Sequence, residues 1–219
     1  MLQCQYLGRI DLEQALKVQQ ETLQKSLRGG GGAVLGFELE PVVTLGVRAH
    51  ADEVSEAAAP PLRRAGFAIE RVDRGGQATL HNPGQLVIFP VVPVGDLGPR
   101  AWVCRLIKTT QKMATGLQQE LRWDELSPGL YDDFGKVVSI GVRLRQGVST
   151  HGLAINVHND LVPFSWIRAC GRASAPMSRL RTELTLSEVF GLWCEAFKAE
   201  VDKCTNLVDF RASFQEVRS

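Results

Sequence analysis

Apolar and polar positions follow two different periods along this chain, and the places where the period changes mark its elements. Leu12, Ala15, Leu16, Leu23 and Leu27 recur at close to 3.6-residue spacing behind Asp11, which predicts an amphipathic helix over 12–27 with an acidic N-cap. Gly29 to Gly32 end it. Residues 33–37 and 42–46, on either side of Glu40-Pro41, are short apolar runs and read as strands, as do 67–72 and 86–92. Pro60-Pro61 opens a short helix that Gly66 closes, and a long helix from about 100 to 121 turns Leu106, Met113, Leu117 and Leu121 inward. Residues 135–145 and 148–157 read as a hairpin turning at Gln146-Gly147. Thr185-Leu186-Ser187-Glu188 has capping-box spacing ahead of a helix with Val189, Leu192, Ala196 and Phe197 on one face. Helices and strands mix without a regular βαβ period, and no repeat or linker interrupts them. The expected architecture is one α+β domain spanning 1–219.

Composition narrows the function classes. With 219 residues, 44% of them apolar and 22% charged, the chain can build one sizeable core. A net charge of +1 supplies no global attraction to nucleic acid or to an anionic membrane. Residues 1–6 lack the basic stretch and apolar run of a secretory signal, and no window reaches the ~18 apolar residues of a membrane span. Five cysteines, an odd number without short repeated spacing, fit a reducing compartment, so a cytoplasmic protein is expected.

The stretch Arg74-Gly75-Gly76-Gln77-Ala78-Thr79-Leu80-His81-Asn82-Pro83-Gly84-Gln85 sets three glycines, a proline and several hydrogen-bonding side chains between apolar segments. That composition suits a ligand site, because glycine admits close backbone approach and loops carry binding chemistry. Gly129 and Gly135-Lys136 resemble a phosphate loop only briefly: the spacing is one residue too long, and Val137 stands where Ser or Thr would bind magnesium. His81, His151 and His158 lack the companions of a zinc site, and no metal is expected. Cys170 lies in Arg168-Ala169-Cys170-Gly171-Arg172, where two guanidinium groups could stabilise a thiolate. Local sequence leaves Cys170 open between buried spectator and nucleophile, and Lys136 open between solvated charge and catalytic group. Taken together, a cysteine, a lysine, two histidines in glycine-containing strands and a polar loop free of acids suit acyl transfer.

Four motifs resemble those of the octanoyltransferases of lipoate biosynthesis, within the biotin and lipoate protein ligase superfamily. They are Arg74-Gly75-Gly76 through Gln85, Gly135-Lys136 with Ser139-Ile140-Gly141-Val142, His151-Gly152-Leu153-Ala154-Ile155-Asn156, and Ala169-Cys170-Gly171. The first is shared with the ligases; the late Cys-Gly separates transferase from ligase. The chain departs from the family at Asn82, where glycine is usual, and over 172–176.

The resemblance implies a mixed or antiparallel central sheet flanked by helices, and an ATP-independent transfer of octanoyl from octanoyl-acyl carrier protein to a lysine of a lipoyl domain. Cys170 would be the nucleophile that carries the acyl thioester, and Lys136 would lower its pKa and serve as acid and base. Arg74, Gly75, Gly76, Gln77, Ala78, Thr79, Leu80, His81, Ser139, Ile140, Gly141, His151, Gly152, Leu153 and Ala154 would bind the substrate. No cofactor is implied. Acceptors would be lipoyl domains of 2-oxoacid dehydrogenases or the glycine cleavage H protein, with Arg48, Arg71, Arg143 and Arg145 as candidate docking charges. Two alternatives remain at this stage, an ATP-dependent lipoate or biotin protein ligase and a non-catalytic lipoyl-domain-binding protein.

Overall fold

The computed structural model describes residues 2–54, 59–125, 127–167 and 176–203. Among these residues ten strands form two mixed sheets. In chain order the main elements are β1 (Gln3–Ile10), α1 (Leu12–Leu27), β2 (Ala33–Leu39), β3 (Val42–Leu45), α2 (Ala59–Arg64), β4 (Ala68–Arg71), β5 (Ala78–His81), β6 (Gln85–Val91), α3 (Pro99–Gly116), β7 (Arg122–Asp124), β8 (Gly129–Tyr131), β9 (Lys136–Arg145), β10 (Val148–Asn156) and α4 (Leu186–Lys203). The larger sheet runs β1-β2-β6-β10-β9-β8-β7 and the smaller β4-β3-β5. β1 lies parallel to β2 and β4 parallel to β3; the other pairings are antiparallel.

Both faces of the larger sheet are buried, which is why its central strands read as apolar runs rather than alternations. Val34, Leu86, Ile88, Leu153 and Ile155 pack toward Leu106, Trp193 and Phe197 of α3 and α4. Leu35, Phe37, Val87, Phe89 and Ala154 join Ala15 and Leu23 of α1. Val43, Leu62, Phe67, Leu80, Phe164 and Ile167 form a separate core under the smaller sheet.

The hairpin of β9 and β10 turns at Gln146 and Gly147, both at positive φ (49° and 77°), the backbone of a type I′ turn. Thr185 and Glu188 exchange the reciprocal bonds of a capping box at the start of α4. Three readings need correction. The helix expected to reach 121 ends at Gly116, because Gln118 takes φ 58° and the Gln118 and Gln119 N–H groups return to Thr115 and Ala114 in a Schellman closure. On α1 the buried stripe is Ala15, Gln19, Leu23 and Ser26, while Leu27 is 37% exposed; Gln19 is drawn inward by a hydrogen bond described below. The polar stretch 74–85 is not all loop, since β5 lies inside it and pairs with β3.

Pro90 stands within the central strand β6, where a missing N–H would ordinarily break the ladder. The break is accommodated. Pairing of β6 with β10 stops at Ile88 and Leu153 and resumes where the Ser149 N–H donates to the Val92 carbonyl. In that gap His151 adopts φ 55°. His151 and Gly152 remain paired with β9 but not with β6, and both border the space between the two sheets.

Candidate active site

A cavity of about 590 Å³ is lined by Val47, Arg48, Ala49, His50, Arg74, Gly76, Gln77, Ala78, Thr79, Pro128, Lys136, Ser139, Ile140, Phe164, Ile167 and Met177. A narrow slot of about 40 Å³ shares Arg74, Thr79, Ser139 and Ile140 with it. The slot runs between Thr44, Thr79 and His81 on one side and Leu39, Val87, Phe89 and Ala154 on the other, with His151, Gly152 and Leu153 also lining it.

Most residues expected to bind the acyl chain therefore meet in one place, with two exceptions, Leu80 and Gly75; strand geometry explains the first. Successive β5 side chains point to opposite faces. Thr79 and His81 face the slot, whereas Leu80 is fully buried with Val43, Leu62 and Phe164 in the core of the smaller sheet. Gly75 reaches neither space and lines a second cavity on the α3 side of β9. Cys170 lies outside the described residues, as do Arg168 and the atypical residues 172–175.

Arg74 is a buried cation that organises the site. Its Nη2 donates to the Thr44 carbonyl (2.7 Å) and Oγ1 (2.8 Å), its Nε to the same Oγ1 (3.2 Å), and its Nη1 to the Gly75 carbonyl (3.1 Å). Burial brings its pKa down to about 10, and the charge of buried Glu53 opposes that shift. Glu53 in turn accepts from the Ala78 N–H (2.6 Å) and the His50 N–H (3.0 Å), holding the start of β5.

From Thr44 a chain of buried polar contacts continues across the molecule. Thr44 Oγ1 meets His81 Nε2 at 3.3 Å, and His81 Nδ1 lies 2.7 Å from Gln85 Oε1. The Gln85 amide donates to Asn156 Oδ1 (2.9 Å) and the Leu80 carbonyl, so Oε1 is its acceptor and Nδ1 carries the histidine hydrogen. Burial above all, with the Arg74 charge, lowers the His81 pKa to about 4 and keeps the ring neutral; the Gln85 bond opposes this. Asn156 donates to the Lys136 and Ser178 carbonyls (3.3 and 3.0 Å), which ties the opening motif to the lysine strand.

Lys136 begins β9, where its N–H donates to the Pro176 carbonyl at 2.7 Å and its carbonyl accepts from the Ser178 N–H at 2.9 Å. Its Nζ stands over the Tyr131 ring, 5.6 Å from the centroid. Two glycines make this seat. A Cβ at Gly129 would come within 2.1 Å of Lys136 Cε, and one at Gly135 within 2.2 Å of the Pro176 carbonyl oxygen. Asp132 closes the preceding turn by accepting from the Phe134 and Gly135 N–H groups, and it reaches Ser178 Oγ at 2.8 Å. Ile167 and Met177, on either side of the segment that contains Cys170, both line the cavity with Lys136.

At the slot, His151 Nε2 lies 2.6 Å from Asp73 Oδ1, and its N–H donates to Gln19 Oε1 at 2.6 Å, the bond that buries Gln19. Burial lowers the His151 pKa despite the opposing Asp73. For Asp73 burial acts upward, but hydrogen bonds from His151 and Arg145 leave the carboxyl below its ordinary value. Arg143 and Arg145, candidate docking charges, both pair with Asp73. His158 donates outward to the Leu184 carbonyl, a structural role. Among the described residues no group of three or more His, Cys, Asp or Glu comes together as a metal site requires.

Several contributors carried little sequence signal. Thr44 had one, a polar residue inside the apolar run Val42-Val43-Thr44-Leu45. Glu53 and Asp73 had none, since their importance comes from groups brought in by other strands.

The sequence and the fold match known proteins. The lipoyl protein ligase A/B catalytic domain model matches residues 11–198. An octanoyltransferase of Geobacter sp. (strain M21) is 33% identical over 183 residues, covering 83% of this chain and 86% of that protein. A mitochondrial octanoyl-[acyl-carrier-protein]:protein N-octanoyltransferase of Xenopus tropicalis is 34% identical over 213 residues, covering 91% and 87%. Among solved structures, lipoate-protein ligase A bound with ATP superposes with a TM-score of 0.72 at 15% identity, over 92% of this chain and 85% of that one. The mixed sheet flanked by helices is thus the ligase fold, while sequence identity places the chain among the transferases. The chain belongs to the lipoyl protein ligase A/B catalytic domain family, as one of its octanoyltransferases.

Proposed function

We propose that the chain, as one catalytic domain, carries an octanoyl group from octanoyl-acyl carrier protein to a lysine amine of a lipoyl domain, through a thioester on Cys170. One observation carries the assignment of the nucleophile: the chain enters and leaves the Cys170 segment at Ile167 and Met177, which line the same cavity as Lys136. A thiolate on a segment anchored at that cavity is the group a lysine ammonium there would stabilise.

In the first half-reaction the Cys170 thiolate attacks the donor's carbonyl carbon, a C–S bond to the enzyme forms, and the bond to the carrier sulfur breaks as that sulfur takes a proton from the Lys136 ammonium. In the second, the lysine amine attacks the Cys170 thioester, the amide forms, and the cysteine leaves. Lys136 stabilises the thiolate as an ammonium and, once neutral, takes the proton of the incoming amine. Thioester-to-amide transfer runs downhill, so the cycle needs no nucleotide, and it returns a free thiol that suits a reducing compartment such as the cytoplasm. Arg74, Gly76 to Thr79 and His81, with Ser139 to Gly141 and His151 to Ala154, receive the acyl chain. Burial at ~0.8 kcal/mol per methylene holds an eight-carbon chain by about 5 kcal/mol.

Intact-mass measurement after incubation with octanoyl-acyl carrier protein tests the assignment. The wild type gains one octanoyl group without ATP, Cys170→Ser gains no thioester, and Lys136→Ala gains it slowly. A wild type without adduct, or a Cys170→Ser variant that octanoylates a lipoyl domain at the normal rate, refutes it.

A further inference from the structure

The second cavity, about 640 Å³, is as large as the first and meets it along Arg48, Gly76, Pro128 and Ile140. Its volume falls in the range of about 300–1,000 Å³ typical of sites for drug-sized ligands. Nothing in the acyl-transfer reading above uses it, yet that reading requires a place for the rest of the donor. The octanoyl thioester of a carrier protein hangs on a long phosphopantetheine arm, which has a dimethyl-substituted carbon, two amides and a terminal phosphate. We propose that the second cavity holds this arm, with its thioester end at the Ile140 junction and its phosphate at Arg100.

Three features support the placement, which rests on the acyl-transfer reading. The wall of Val103, Ile107 and Trp123 offers apolar surface for the dimethyl group. The edge of β9 offers backbone groups for the amides: β8 pairs with β9 no further than Val138, and Gly75 returns to donate to the Val142 carbonyl. Ile140 lies midway, and strand alternation turns its backbone toward the same open edge. A ligand with amides can extend the sheet there. Charge fits as well, since the lining carries Arg100 away from the junction, with Arg48 at it, against one carboxylate, Glu125. Arg100 is exposed and forms no ion pair among the described residues. The first turn of α3 around it has no acidic residue and no side-chain cap, so its N–H groups reinforce the attraction for a phosphate.

The test compares acylation of the wild type, Arg100→Ala and Val103→Trp by octanoyl-phosphopantetheine, octanoyl-pantetheine and octanoyl-acyl carrier protein. The wild type prefers the phosphorylated small donor by about tenfold in kcat/KM, a size ordinary for one charge-assisted contact. Arg100→Ala removes that preference by raising KM for the phosphorylated donors only. Val103→Trp fills the cavity and slows acylation by all three donors more than tenfold. After prolonged loading, its octanoyl-enzyme still passes the chain to a lipoyl domain at the wild-type rate. Should Val103→Trp fail to fold by circular dichroism, the Arg100→Ala comparison decides alone. Indifference to the phosphate in the wild type, or equal slowing of both half-reactions in the variants, overturns the arm's placement. A wild type that forms no octanoyl adduct with any donor instead strikes the acyl-transfer reading itself.

Discussion

The slot and the cavity that opens onto it share four residues but are built from different chemistry. The slot is walled by Leu39, Val87, Phe89 and Ala154 of the larger sheet, with Phe37 and His151 packed edge-on against Phe89 at 4.9 and 5.3 Å. The cavity holds Arg48, Arg74 and Lys136 against surrounding backbone polar groups. A hydrocarbon tail and a reacting carbonyl call for these two environments, and the polar chain from Arg74 to Asn156 keeps them adjoining. Shape at the slot is set by packed side chains, whereas charge at the cavity is set by hydrogen bonds. The two should therefore fail differently when altered.

Loss of charge at the cavity gives the largest effect. Lys136→Ala should reduce transfer by roughly 10²–10⁴-fold, the contribution usual for a positioned proton-transfer group, while leaving thermal stability near wild type. Gly129→Ala should slow the reaction about tenfold or more without touching a charge, because its Cβ occupies the space of Lys136 Cε. Steady-state kinetics beside melting curves separate the two. A fast Gly129→Ala enzyme would show that the Lys136 side chain has no fixed seat.

Arg74→Ala comes next and acts on stability. It removes the guanidinium donors of the Thr44 carbonyl and hydroxyl and of the Gly75 carbonyl, a loss of about 1–3 kcal/mol for buried polar groups left without their partner. Urea unfolding measures it. Arg74→Lys should recover only a fraction, because one ammonium cannot reproduce the fork that reaches Thr44 and Gly75 together.

His81 predicts a pH effect whose sign follows from its lowered pKa. Above pH 6.5 folded and unfolded states both hold a neutral ring, and stability is complete. As pH falls from 6.5 toward 4 the unfolded chain takes a proton that the buried ring refuses, so stability drops by roughly 3 kcal/mol for that shift. In His81→Gln this part of the pH dependence should disappear. An unchanged stability profile in that variant would falsify the assignment of a neutral, buried His81.

Much of this arrangement was legible in the chain because short motifs set their own geometry. Gln146-Gly147 specified the hairpin that aligns Ser139 with Ala154, and the glycines around Lys136 announced close approach. What the sequence withheld depends on contacts between distant strands. β7 and β8 are three residues each, too short for any period to register. Gln19 looked like the polar face of α1 until the His151 N–H, 132 residues away, supplied its partner. Leu80 sits among ligand-facing neighbours in sequence, but strand alternation sends it to a core.

At the slot the effects should be smaller and confined to chain length. Ala154→Val adds two methyl groups to a wall whose neighbours Val87 and Phe89 are fully packed. The preferred acyl chain should shorten by one or two methylenes, each worth ~0.8 kcal/mol, or about fourfold in kcat/KM. A donor series from four to ten carbons reads this out. Transfer of the best-fitting chain should stay near the wild-type rate, in contrast with every change at the cavity.

Asn82 gives the smallest effect on transfer and the sharpest division between the two regions. It follows His81 directly, yet its side chain lines neither space. It donates to the Asp160 carbonyl at 2.8 Å and accepts from Asn159 Nδ2 at 3.0 Å, clamping the end of the polar stretch to the turn after β10. Asn159 keeps its second bond, to Asn156, when Asn82 is removed. Asn82→Gly should therefore cost about 2 kcal/mol of stability, the net worth of two ordinary hydrogen bonds, and leave the chain-length profile where it was. A shift of that profile would place Asn82 in the acyl wall and dissolve the distinction between packing that selects the chain and hydrogen bonds that hold the frame.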